Sequence, residues 1–200
     1  MLCAAPGINL LAYLNEQLAL PSFLKPLEEI MKQQEEAAAQ LTERFIRADS
    51  IGVLFYNIFL IALLPAFSEE LCFRGTLQTL FAENGRNKHI AIWVSAILFS
   101  AIHFQFYGFV PRMLLGALFG YMLTWSGSLW LPVLAHFTNN LTAVVSYNIF
   151  YMRGLNVDEI DTLGTGDSLW IGIISLVLTG GIIYLLRRSL TMSNASSRMS

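Results

Sequence analysis

The sequence predicts an all-α protein, a polytopic transmembrane helical bundle with a polar active-site cavity buried inside it. Three observations lead there. Of 200 residues, 55% are hydrophobic and 13% charged, with a mean hydropathy of +0.56. Globular chains carry about 25% charged residues, so this one has too little charge to solvate an ordinary exterior. Five apolar blocks of roughly helical span follow one another, near 51–67, 90–107, 109–125, 129–150 and 169–186. Polar clusters interrupt them at Ser68–Arg74, Phe99–His103 and His136–Asn140. An ionisable side chain at bilayer depth costs about 2.5 kcal/mol or more. Two Glu, one Arg and two His are therefore retained there only if they face one another across a cavity.

The elements follow in order. Residues 1–20 are apolar but lack a basic leader and are broken by Pro6, Gly7, Asn9 and Asn15, a poor signal peptide. They read as the tail of a membrane span that begins earlier, or as a shallow interfacial segment. Pro21 and Pro26 punctuate the chain. Between Leu27 and Asp49 it turns charged, with an apolar stripe through Ile30, Met31, Ala38, Leu41 and Phe45. That pattern predicts an amphipathic helix on the membrane surface or a soluble connecting helix. Taken as one helix, 51–81 would run about 46 Å at 1.5 Å per residue, so a kink or split at Pro65 is expected. The domain boundaries are then 1–50 for the N-terminal segment and surface helix, 51–188 for the helical core, and 189–200 for a disordered polar tail.

Basic residues orient the chain. Arg86 and Lys88 lie between the first two blocks, and Arg187 and Arg188 follow the last. The 151–168 loop carries Asp158, Glu159, Asp161 and Asp167 against Arg153 alone. Four crossings separate the two basic sites, which places both, and the C-terminus, in the cytoplasm of a multi-pass plasma or inner membrane protein. Arg112 falls at the outer end of its block and either snorkels or serves a polar cavity. A net charge of −2 indicates no nucleic-acid partner. Cys3 and Cys72 supply neither a disulfide framework nor a metal-type spacing, and Cys72 reads as a small apolar filler.

Helical spacing decides which polar groups can meet. Glu70 and Arg74 are four apart and share a face, as do His136 and Asn140. Glu69 points about 100° from Glu70 and is free to face another helix. A carboxylate in a dry cavity is a usable general base, so Glu69 with His103 can orient and deprotonate a water. His136 and Asn140 can donate hydrogen bonds to a developing oxyanion. A second assembly is open to the same side chains: Glu69, His103 and His136 could hold Zn2+ or another divalent metal. There is no His-Glu-x-x-His helix, so the usual zinc-protease signature is absent. Structural roles compete with these. Glu70–Arg74 can be a clamp, Asn139 and Asn140 can bond between helices, Phe99 and Phe104 can be packing groups, and His89 sits beside the basic loop. What favours chemistry is that the clusters fall on three separate apolar segments.

At these residues the chain resembles the CPBP family, the CAAX-protease and bacteriocin-processing group also called Abi proteins. The pattern E-E-x-x-x-R, F-x-x-x-H, H-x-x-x-N appears as Glu69-Glu70…Arg74, Phe99…His103 and His136…Asn140, in order. Residues 128–140 also look like the family, and the resemblance covers about 51–150. It implies an integral-membrane endopeptidase of the type that trims prenylated CAAX proteins. Glu69 and His103 would activate water, His136 and Asn140 stabilise the oxyanion, and Glu70 and Arg74 support the site. The family is named as metalloproteases, yet a metal-free glutamate mechanism fits the same residues. Family members carry further helices before the first motif, and the short N-terminus departs from that. The function expected is hydrolysis of a membrane-associated peptide or protein substrate. The alternative is a non-catalytic membrane protein of the same fold, binding a peptide as an immunity or scaffold factor.

Overall fold

The computed structural model describes residues 1–18, 21–83 and 87–197. Within them the chain forms eight α-helices and no strand. These are α1 (Ala5–Glu16), α2 (Lys25–Ile46), α3 (Ile51–Ala82), α4 (Lys88–Ala101), α5 (Phe109–Ser126), α6 (Trp130–Met152), α7 (Asp158–Thr162) and α8 (Leu169–Ser197). Local chemistry sets several ends. The Ser50 hydroxyl accepts from the Val53 N–H at 3.3 Å, and the Asn87 side chain accepts from the His89 N–H at 2.9 Å, capping α3 and α4. Gly127, with φ +68°, ends α5 in the left-handed conformation that a side chain resists.

Of the kink or split expected at Pro65, helix α3 shows no split: it runs without a break from Ile51 to Ala82. The irregularity is taken up by two wide-turn π segments, Ile58–Leu63 and Leu71–Gln78, which bracket the Glu-Glu pair. Pro65 lacks the N–H that would bond the Ile61 carbonyl in α register. Just before it the Leu64 N–H reaches back five residues to Phe59. In the second segment and at its end, the Thr76 and Thr79 hydroxyls also reach back five, to the Leu71 and Arg74 carbonyls, at 3.1 and 3.2 Å. Such bulges recur at functional sites.

Four further expectations are corrected. The 90–107 block is helical only to Ala101. Beyond it the chain turns through 102–108, with Phe104 at φ +54°. Phe104 is 82% exposed and so not a packing group. Cys72 lies exposed on the outside of α3 rather than filling the interior. Helix α8 continues through 189–197, where a disordered tail was expected, because extending an existing helix adds a hydrogen bond per residue without a new nucleation cost. Arg86, one of the orienting basic residues, lies outside the described residues, as does the end of the chain from 198.

Close packing rests on small residues facing long polar ones. Gly116 and Gly120, one turn apart on α5, meet Arg74 and Gln78, one turn apart on α3. The Arg74 guanidinium donates to the Gly116 carbonyl at 2.8 Å, and the Gln78 amide to the Gly120 carbonyl at 3.1 Å. A Cβ on Gly120 would sit 2.5 Å from Gln78 Oε1 and 2.9 Å from Ile92 Cγ2, so any larger residue would have to displace both side chains. Ile92, Ala96 and Ala117 form the buried seam between α4 and α5. Helix α6 closes on the first half of α3, and α1 lies against α5 and α8.

The exterior is apolar. Phe55 on α3, Leu134 on α6, and Val177 and Leu185 on α8 are among many large hydrophobic side chains left exposed. Residues Ile51–Ala82 and Gly166–Met192 are each long and apolar enough to cross a membrane. Such a surface suits lipid. Helix α4, by contrast, has 14 residues, about 21 Å at 1.5 Å per residue. It stops short of a ~30 Å hydrocarbon core, and the 102–108 turn enters where it ends.

Buried asparagines tie that end of the bundle together. Asn15 on α1 donates to the Phe106 and Tyr107 carbonyls at 2.8 and 2.7 Å and accepts from the Val110 N–H at 3.3 Å. Asn57 and Asn148 both donate to the Ile46 carbonyl, at 3.0 and 2.9 Å, satisfying an acceptor at the C-terminal end of α2. The amphipathic α2 is also tethered to the turn. Glu35 accepts from the Tyr107 N–H at 3.0 Å and Glu28 from the Tyr107 hydroxyl at 3.2 Å.

Candidate active site

The three polar clusters meet around one cavity of about 330 Å³, lined by Glu69 from α3, Phe99 from α4, His103 from the turn, and His136, Asn139 and Asn140 from α6. Helix α5 supplies Arg112 and Phe119, and Gly108 lies just before it. Behind the wall, fully buried, is the Glu70–Arg74 pair, Nη1 to Oε1 at 2.9 Å. The Arg74 guanidinium also lies over the Phe99 ring at 4.4 Å. This pair does not line the cavity. Its carboxylate and guanidinium fix the neighbours that do.

His136 connects the two layers. Its Nδ1 lies 2.9 Å from Glu70 Oε1, and its Nε2 lies 3.8 Å from Glu69 Oε2. Glu70 Oε1, already accepting from Arg74, acts as an acceptor again, so the His136 proton sits on Nδ1. Its Nε2 then donates only in the imidazolium form. Phe119 stacks on the ring at 5.1 Å, and Phe99 stands edge-on at 5.9 Å. His103 is fixed by its other nitrogen. Its Nδ1 donates to the Phe99 carbonyl at 2.8 Å, leaving Nε2 as the acceptor in the neutral ring.

Glu69, unlike Glu70, keeps 27% of its side chain exposed. At 3.8 Å from His136 it makes no direct hydrogen bond, a gap that suits a bridging water. Asn140 directs Nδ2 to the Ile61 carbonyl at 3.5 Å, the acceptor that Pro65 leaves without its α-helical partner. Asn139 donates to Asn140 Oδ1 at 3.4 Å. His89 stands apart, exposed and bonded to the Tyr121 hydroxyl at 2.8 Å.

Among the described residues no three His, Cys, Asp or Glu side chains converge in a way that could hold a metal ion. Glu69 and His136 Nε2 form at most a two-donor site, one short of the usual three protein ligands of catalytic zinc. The donor set as arranged does not fit, and the chemistry below takes no step through a metal.

Two contributors carried little signal in the sequence. Asn15 figured only as an interruption of an apolar stretch, yet it pins the turn that bears His103. Phe119 has no polar signature, and its place on His136 arises from packing alone.

Residues 51–142 match the Rce1-like family, described as type II CAAX prenyl endopeptidase Rce1-like. The chain is 36% identical over 107 residues to an uncharacterized protein, YpbD, of Bacillus subtilis (strain 168), covering 52% of each. It thus spans about half the length of the curated relative that it matches. No solved structure matches. The resemblance drawn from the three motifs is borne out: the matched residues, 51–142, contain all three and are similar to the CAAX prenyl endopeptidase family.

Proposed function

We propose that this protein is an intramembrane endopeptidase that hydrolyses peptide bonds of membrane-associated substrates with a glutamate-activated water. The observation that carries the reading is Glu69, part-exposed in the cavity opposite His136 Nε2 at 3.8 Å, while its neighbour Glu70 is sealed against Arg74. Two adjacent carboxylates in such different surroundings suit two different tasks.

Water bound between Glu69 and His103 gives a proton to Glu69, and its oxygen bonds to the scissile carbonyl carbon. The carbonyl oxygen becomes an oxyanion facing Asn140 Nδ2 and the Nε2–H of imidazolium His136. Collapse breaks the C–N bond, and Glu69 returns its proton to the leaving nitrogen. Glu70 holds the His136 ring through Nδ1, and Arg74 holds Glu70. A dry pocket strengthens each of these interactions. The bilayer supplies the surroundings, and a peptide or protein at the membrane is the substrate. The orientation that fits the charges puts Lys88, Arg187 and Arg188 in the cytoplasm and the acidic 158–167 loop outside.

The test is cleavage of a quenched-fluorescence peptide library by detergent-purified protein, wild type beside Glu69→Gln, with and without chelator. Removal of a general base costs about 10²- to 10⁴-fold, so Glu69→Gln should lose at least two orders of magnitude while chelator changes nothing. Inhibition by chelator would turn the reading to a metal enzyme. Equal inertness of both folded proteins, with binding of the same peptide retained, would turn it to a non-catalytic binding protein.

A further inference from the structure

Arg112 has no part in the hydrolytic scheme, yet its guanidinium lines the same cavity as Glu69 and His103. Apart from the histidines it is the one cationic side chain among the residues that line it. Arg74 is sealed behind the wall and spent on Glu70 and the Gly116 carbonyl. Arg112 is not spent in this way. One terminal nitrogen, Nη2, donates to Gln105 Oε1, while Nη1 is buried with no hydrogen-bond partner among the described residues. No carboxylate lies within ion-pair distance of it among the described residues, although Glu69 and Glu35 are near enough to act on its charge. A buried guanidinium nitrogen without an acceptor is costly to maintain unless an acceptor arrives.

The surroundings keep the group in place for one. Gly108 leaves room for it, since a Cβ there would sit 3.0 Å from Arg112 Nη2. Arg112 lies in the first turn of α5, whose aligned peptide dipoles add partial positive charge at that end. A planar fork with a free N–H suits a carboxylate.

We propose that Arg112 is a specificity-determining residue that binds a carboxylate of the substrate and thereby sets where along the peptide the scissile bond meets Glu69. The carboxylate has two possible sources, the free C-terminus of the peptide or an acidic side chain within it. The proposal rests on the endopeptidase reading, and the experiment separates the failure of one from the failure of the other.

Three fluorogenic peptides of one sequence are compared on the detergent-purified full chain. One has a free C-terminal acid, one is C-terminally amidated, and one is amidated with an internal glutamate. Turnover and, separately, equilibrium binding by fluorescence anisotropy are measured for wild type and Arg112→Gln, with Arg112→Lys as the conservative variant. Wild type should prefer a carboxylate-bearing peptide over the plain amide by about ten- to a hundredfold, mostly in KM and in binding. Arg112→Gln should bring that ratio to near one, with partial return in Arg112→Lys. Preference for the acid or for the internal glutamate identifies the source. A ratio near one in wild type, or one that survives Arg112→Gln, overturns the proposal. So does an equal fall for all three peptides in Arg112→Gln, which would make the residue a counterion of Glu69. If no peptide is turned over, the endopeptidase reading fails, and the binding ratios still decide whether Arg112 anchors a carboxylate.

Discussion

His136 holds the sealed Glu70 through one ring nitrogen and faces the open Glu69 with the other, so a single imidazole ties structural support to the cavity. The two glutamates should therefore respond differently to the same substitution. Glu70→Gln leaves the buried Arg74 charge uncompensated, and loss of one partner from a buried pair costs about 3–5 kcal/mol. Its apparent melting temperature in detergent should fall well below wild type. Glu69→Gln, which breaks no direct hydrogen bond, should melt close to wild type while losing turnover. If both variants melt alike, the division between a supporting and a reacting carboxylate is wrong. Motif spacing made the Glu70–Arg74 pairing legible in the sequence, because residues four apart on a helix are neighbours whatever the fold. The Glu69–His136 approach was not legible, since the two residues stand 67 positions apart (136 − 69) and only helix packing closes that distance.

At the scale of elements, α3 and α5 approach through the Arg74–Gly116 and Gln78–Gly120 contacts. Gly120→Ala should overpack that contact at a cost of about 1–3 kcal/mol, read as a lowered melting temperature. An unchanged value would mean that the Gln78 side chain simply moves aside. The 102–108 turn depends on Asn15, whose amide holds the Phe106 and Tyr107 carbonyls. Asn15→Leu should loosen the turn that carries His103 and lower kcat more than it lowers global stability. A parallel loss of both would make Asn15 a packing residue only. The unbroken α3 shows where sequence reasoning met its limit. Pro65 signals an irregularity in the backbone, but whether the helix splits or widens depends on the neighbours that donate to the displaced carbonyls. Here Asn140, on another helix, faces one of them.

For the molecule as a whole, the described basic residues Lys88, Arg187 and Arg188 and the acidic 158–167 loop give opposite ends opposite charge. With Cys3 and Cys72 replaced, a cysteine at Thr165 should react with an impermeant maleimide on intact cells, and one at Ser128 only after lysis. The reverse pattern would invert the proposed orientation. Composition and motif spacing alone determined the helical class, the membrane setting, the amphipathic second helix and the identity of the polar clusters. These are properties of single residues or near neighbours: lipid selects apolar side chains one at a time, and helical periodicity acts over four positions. The tertiary structure alone decided that Glu69 faces His136 across the cavity, that His103 stands in a turn past the end of its helix, and that Arg112 joins the same chamber. Each of these depends on which helices lie side by side and how deeply each is seated, and that is set by packing summed over contacts between residues far apart in the chain.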